Sequence, residues 1–150
     1  MFRPKSEKKA KPIIKPGKVV ILLAGRHAGQ KAVVVKFSEE GDRARKFGHV
    51  LVAGLERAPQ KVTKSMSKAK IEQRSKVKTF VKYVNVSHIL LTRYTVSEEK
   101  LKKIVTNDAL SNVESRKEAR ANLKKVYEGH YLNRPRDTPG FNFFFKKLRF

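Results

Sequence analysis

Lys15-Pro16-Gly17-Lys18-Val19-Val20-Ile21-Leu22-Leu23-Ala24-Gly25-Arg26-His27-Ala28-Gly29-Gln30-Lys31-Ala32-Val33-Val34-Val35-Lys36 reads as a β-hairpin with a basic tip. A turn at Gly17 leads into the apolar run Val19–Leu23, the loop Gly25–Gly29 reverses the chain, and Ala32–Val35 carries it back. Glycine at both ends of the loop permits positive φ and close backbone approach, while Arg26, His27, Gln30 and Lys31 place hydrogen-bond donors at the tip. Such a tip can hold phosphate and sugar oxygens, or it can be an ordinary solvated surface turn. Spacing alone leaves both readings open.

Working outward, the same grammar continues. Val50–Ala53 ends at Gly54, Val77–Val86 follows, and Ile89–Leu91 allows a short fifth strand. Short β-branched and aliphatic runs bounded by glycine predict a small, well-buried sheet. In the fourth run Lys76, Lys78 and Lys82 alternate with Val77, Val81 and Tyr83, which predicts one inward and one basic outward face. Lys64–Arg74 has neither Gly nor Pro and carries Met66, Ala69 and Ile71, so a short basic helix is expected between strands. After Arg93 the pattern becomes helical: Ser111 and Glu114 have capping-box spacing. Ala119, Leu123, Val126 and Tyr127 then form an apolar stripe on a helix expected to end near Gly129. Asn133–Gly140 reads as a Pro-rich loop, and the last ten residues hold five of the nine phenylalanines.

Charge explains what such a fold is for. The 150 residues carry 36 Lys+Arg against 13 Asp+Glu, a formal net charge of +23. An imbalance of that size repels itself in a compact free chain, and a dense polyanion is its natural partner. The excess is uneven: residues 1–36, 57–82 and 109–150 sum to +9, +8 and +6, separated by nearly neutral stretches. The candidate nucleic-acid-binding residues are cations of these blocks together with the hairpin tip. In the first block they are Lys15, Lys18, Arg26, His27, Gln30, Lys31 and Lys36. The second supplies Lys61, Lys64, Lys68, Lys70, Arg74, Lys76, Lys78 and Lys82. Arg93 follows, and the third adds Arg116, Arg120, Lys146, Lys147 and Arg149. Neutralising phosphates with such groups supplies most RNA affinity and makes it salt-dependent. The terminal phenylalanines can stack on unpaired bases or dock the tail on protein, and docking is the favoured reading because burying each is worth roughly 1.5–3 kcal/mol.

Other functions fit poorly. No cysteine is present, so neither a disulfide framework nor a thiolate zinc site is available, and a reducing compartment is expected. The N-terminal residues 1–12 are Lys-rich without periodicity and are read as a disordered basic arm, not a signal peptide. The longest apolar run, Val19–Ala24, is far short of a membrane span. Gly25–Lys31 departs from a phosphate-binding loop. Three residues separate its glycines, Gln30 precedes Lys31, and Ala32 stands where Ser or Thr must meet magnesium. Ser67 and Lys70 fit a Ser-x-x-Lys pattern without the companion motifs of that chemistry. His27, His49, His88 and His130 are too widely spaced for a metal site, and Glu39-Glu40 and Glu98-Glu99 read as charge balance. No catalytic residue is assigned.

The hairpin resembles a KOW motif, found in SH3-like barrels of ribosomal proteins and transcription elongation factors. Further along, His49 with Leu51-Val52-Ala53-Gly54, Lys61-Val62-Thr63, Arg74-Ser75-Lys76-Val77-Lys78 and Phe80-Val81-Lys82 extend the likeness. His88, Thr92-Arg93-Tyr94 and the terminal Phe144-Phe145 with Lys147-Leu148-Arg149-Phe150 complete it. From about Lys15 to Phe150 the chain resembles the eukaryotic large-subunit ribosomal protein L-twenty-seven-e family. Departures are a longer segment before Lys15, an inserted loop around Arg134–Gly140, and Phe143 where Trp is expected.

The resemblance implies a mainly β fold with α: an SH3-like, partly open barrel over residues 13–92 with an inserted short helix, then a helical and extended arm over 93–150. It implies a non-catalytic constituent of the cytosolic large ribosomal subunit, reaching it through the nucleolus. Its expected partners are ribosomal RNA and neighbouring ribosomal proteins, with no membrane, small-molecule substrate or second copy of itself. No cofactor is expected beyond magnesium carried by the RNA. A KOW-domain transcription or chromatin factor is the rival reading; it predicts a second domain and a less basic barrel.

Overall fold

A computed structural model describes residues 12–97, 99–133 and 138–149. Five antiparallel strands, β1 (Lys18–Leu22), β2 (Lys31–Ser38), β3 (His49–Arg57), β4 (Lys78–Asn85) and β5 (Ile89–Thr95), form one sheet in the order β4-β3-β2-β1-β5. Its helices are α1 (Lys68–Ser75), α2 (Glu99–Ile104), α3 (Val113–Leu132) and α4 (Pro139–Phe145). The sheet is mixed with helices and left open, with β4 and β5 as its edges, in keeping with an open SH3-like arrangement. The arm expected over residues 1–12 falls, apart from Pro12, outside the described residues, as does Glu98.

Both faces of the sheet are buried, which is why its strands read as continuous apolar runs instead of clean alternations. Odd-numbered Val19, Val33, Leu51, Ala53 and Val81 pack against Leu101, Leu110, Leu123, Tyr127, Phe144 and Phe145 of the C-terminal half. Even-numbered Val20, Val34, Val50, Val52, Phe80 and Val84 form a second cluster to which, among the described residues, none of α1 to α4 contributes. Val20, Val34 and Val52 nevertheless have no exposed surface, so the sheet must curl on itself to cover them. Register shifts between Lys18 and Val20, Val34 and Lys36, and Leu55 and Arg57 supply that curl, because each extra residue bends its strand and increases its twist.

The hairpin forms as its sequence predicts, with Ile21 opposite Lys31 and positive φ of 86° at Gly25 and 77° at Gly29. Basic helix α1 also forms; it buries no residue, so its apolar positions are too few to tie it to the core. The stripe on α3 is buried at Ala119, Leu123 and Tyr127, and the Tyr127 hydroxyl donates to the Ala53 carbonyl at 2.9 Å.

Three local expectations change. The N-cap of α3 is Asn112, one residue beyond Ser111, because the Ser111 hydroxyl is used in donating to the Asp108 carbonyl at 2.7 Å. Helix α3 passes through Gly129 to Leu132, since the aromatic contacts of His130 with Phe141 and Tyr131 with Phe145 reward three further residues. The tail is helical over Pro139–Phe145 and leaves regular structure only at Lys146. Phe141, Phe144 and Phe145 are buried against α3 and the sheet, so these rings are docked on protein and unavailable to bases.

Candidate nucleic-acid interface

The three basic blocks, separate in sequence, meet at one groove. It has a volume of about 820 Å³ and runs between the end of the hairpin loop, the segment after β3 and the tail. Gln30 comes from the first block, Arg57, Lys61 and Arg74 from the second, and Lys146, Lys147 and Arg149 from the third. Arg74 donates through Nε to the Lys61 carbonyl at 2.9 Å, which ties the far end of α1 to the groove wall. Exposed Lys64, Lys68, Lys70 and Lys76 lie on α1 and its flanks, and the weak apolar character of this segment keeps them in solvent.

Lys31 departs from its expected role at the hairpin tip. It sits in β2 with only 6% of its surface exposed, and its ammonium donates to the carbonyls of Phe143, at 2.6 Å, and Lys146. The same ammonium lies 4.1 Å from the centre of the Phe143 ring. Burial first, and then the charge of Lys146, hold its pKa below that of an ordinary lysine. A cation at the last turn of a helix meets the unpaired carbonyls there. Lys31 therefore fastens α4 and places the tail cations; it is not itself presented to phosphate.

A second cleft, of about 460 Å³, opens between the hairpin loop, β4 and the start of α3. Arg26, Lys82, Arg116 and Arg120 surround it. At its floor the His27 ring lies flat on Phe80, 4.1 Å between centroids and 5° between planes. His27 is thus buried as part of the wall, contrary to its expected place among the exposed donors. Burial is the main reason its pKa is lowered and Arg26 adds to it; Glu56 pulls the other way, and Lys82 and Lys78 add smaller downward pushes. His130, stacked on Phe141 at 4.6 Å, is lowered by burial and then by Lys100.

These two histidines predict a pH response. Unfolding returns each to an ordinary value near 6.5, so below that pH the unfolded chain binds more protons than the folded one. Their contribution is intact above about 6.5 and is lost as pH falls toward the depressed folded values. Melting temperature should therefore drop between pH 7 and pH 5, and a His27→Gln/His130→Gln chain should show a flatter profile over that window. An unchanged slope in the double variant would contradict this assignment.

The remaining candidate cations are scattered. Lys78 is paired with Glu56 at 2.7 Å and Lys76 faces Glu72 at 3.4 Å. Arg93 lies over the Tyr94 ring and donates to its hydroxyl at 3.1 Å. Lys15 and Lys36 border a third, more apolar cleft with Phe37 and Val105, while Lys18 is half-buried at the start of β1. Arg45, not singled out beforehand, rests 3.9 Å over Tyr83 beside Lys82. Its segment sums to nearly zero charge, which hid it. His49 is buried, with Nδ1 3.0 Å from the Phe47 carbonyl and Nε2 3.3 Å from Asp42, so it is a satisfied core histidine. Among the described residues no three His, Asp or Glu side chains gather in a way that could hold a metal ion.

Comparison with known proteins places this architecture. Residues 19–150 match the description of the Ribosomal L27e protein family. Large ribosomal subunit protein eL27 of Tetrahymena thermophila is 51% identical over 141 residues, covering 91% of this chain and 97% of that protein. The proteins of the same name in Candida albicans and, as eL27B, in Saccharomyces cerevisiae are 46% and 44% identical over 138 residues, with the same coverage. Since the match takes in the hairpin, the curled sheet and the phenylalanine-anchored tail together, the chain belongs to the Ribosomal L27e protein family.

Proposed function

We propose that this chain is a structural constituent of the large ribosomal subunit and binds ribosomal RNA without catalysis. The observation that carries the reading is the groove in which Gln30, Lys61, Arg74, Lys146, Lys147 and Arg149 converge from all three basic blocks. Arg74 is tied to the Lys61 carbonyl and Lys31 holds the Lys146 carbonyl, so part of this spacing is set before RNA arrives. A paired RNA helix offers phosphates and a shallow minor groove, and recognition of that kind works through backbone and shape more than base sequence. The names of the relatives, all large-subunit ribosomal proteins, support the same place for this chain. Neighbouring ribosomal proteins are further partners, the cytosolic ribosome is the working location, and assembly requires passage through the nucleolus.

Two measurements test this. Tagged protein sedimented through a sucrose gradient should co-migrate with large subunits; absence from ribosomal fractions refutes the proposal. Binding of the purified chain to a ribosomal RNA fragment should weaken steeply with salt. About six phosphate contacts give a log K against log salt slope of roughly −4 to −5, and a slope near zero would exclude the electrostatic mechanism.

A further inference from the structure

We propose that the cleft between the Gly25–Gly29 loop, β4 and α3 is a second RNA contact, separate from the groove, that takes a phosphodiester of the RNA backbone. This rests on the RNA-binding reading and adds a site and a ligand group to it. Four cationic side chains reach the cleft from three elements: Arg26 from the loop, Lys82 from β4, and Arg116 and Arg120 from α3. Among the described residues no carboxylate lines it. Glu56, the acid that acts on His27, is already paired with Lys78 at 2.7 Å.

The cleft is built ahead of its ligand. Arg116 is anchored by donating to the Leu110 carbonyl at 2.9 Å, and the Arg120 backbone is held by the Thr79 hydroxyl at 3.0 Å. The Arg116 guanidinium, fixed in this way, presents a planar fork of donors of the kind that matches phosphate oxygens. Gly25, with a φ of 86°, turns the loop so that its backbone lies beside the Lys82 ammonium. The RNA-binding reading makes a phosphodiester, not an acidic protein segment, the expected ligand. His27 and Phe80, stacked on each other and both buried, close the floor as a wall beneath the four cations.

His27 also reports on occupancy. Arg26 of its own loop, Lys78 and Lys82 of β4, and Glu56 of β3 act on it, with Arg116 and Arg120 across the cleft. A phosphate placed among these cations offsets their repulsion, so the histidine pKa must rise when the site fills.

The experiment uses the full chain and three readouts. Arg26→Gln with Lys82→Gln should reduce the RNA salt slope by about two and weaken binding about tenfold or more at physiological salt. Lys61→Gln with Lys147→Gln is the matched pair for the groove. If the groove pair lowers the slope and the cleft pair does not, the cleft proposal fails while RNA binding stands; if neither does, both fail. In NMR titrations, uridylyl-uridine, with its single phosphodiester, should raise the His27 pKa and uridine should not. Equal shifts from both, or none from either, overturn the phosphate assignment. Competition by poly-glutamate that the cleft pair abolishes, with its RNA slope unchanged, would assign the cleft to an acidic protein segment and overturn the proposal.

Discussion

Gly54→Val is expected to lower the unfolding free energy by about 3 kcal/mol or more, measured by chemical denaturation, with RNA affinity lost as the sheet loosens. Gly54 pairs directly with Phe80 across β3 and β4, and the phenylalanine ring lies over the glycine. A Cβ at this position would stand 2.3 Å from the ring and 2.9 Å from the Lys31 carbonyl. The ring cannot swing away freely, because His27 is stacked on its other side and the second core cluster surrounds it. The site therefore needs glycine for space, with no demand on its φ. In a Phe80→Leu background the added penalty of Gly54→Val should shrink by half or more. An equal penalty in both backgrounds would place the obstacle at the Lys31 backbone instead.

Lys31→Met is expected to destabilise the chain by about 2–3 kcal/mol and to loosen α4 selectively, since hydrogen bonds from a charged donor are worth about 1.5–3 kcal/mol each and partial solvation of the carbonyls returns some of that. Methionine keeps the stem packed against Phe143 but cannot donate to the Phe143 and Lys146 carbonyls. Amide exchange should accelerate over Pro139–Lys146 while β1 to β3 keep their protection. RNA affinity should fall as well, although Lys31 faces no solvent, because Lys146, Lys147 and Arg149 lose their fixed place in the groove. Unchanged protection in α4 would show that the phenylalanines alone hold it. Phe141, Phe144 and Phe145 are the anchor that outcome would identify, since their burial is worth several kcal/mol together, on the order of 1.5–3 kcal/mol each.

These two sites show where sequence reading stops. The hairpin was legible because glycine and β-branched residues act locally: Gly25 and Gly29 adopt positive φ wherever their neighbours pack. The α3 stripe was legible for a related reason, since the spacing of Ala119, Leu123 and Tyr127 fixes one helix face without reference to its partner. Ser111 misled because a hydroxyl competes among several nearby backbone groups, and a one-residue choice between them is settled by the preceding turn.

Charge behaved differently at two scales. Block sums located the basic surfaces, because electrostatic excess is additive over a segment whatever the conformation. Individual cations were not distinguishable: nothing in the composition around Lys31 separates a buried helix fastener from the half-buried Lys18 or the exposed Lys36. His27 and His49 likewise carry no local sign of the rings they meet, Phe80 in one case and Phe47 and Tyr83 in the other.

By itself, then, the sequence determined the strands, the short basic helix and α3, the excess of positive charge and its division into three blocks, because each depends on residues near one another along the chain. The helix over Pro139–Phe145, read as loop and extended tail, needed its tertiary partners. The tertiary structure alone decided that the blocks share a groove, that the terminal phenylalanines face protein, and which lysine is withdrawn from solvent. Those outcomes depend on contacts between residues such as Lys31 and Phe143, 112 positions apart, whose energies exist only once the curled sheet has brought them together.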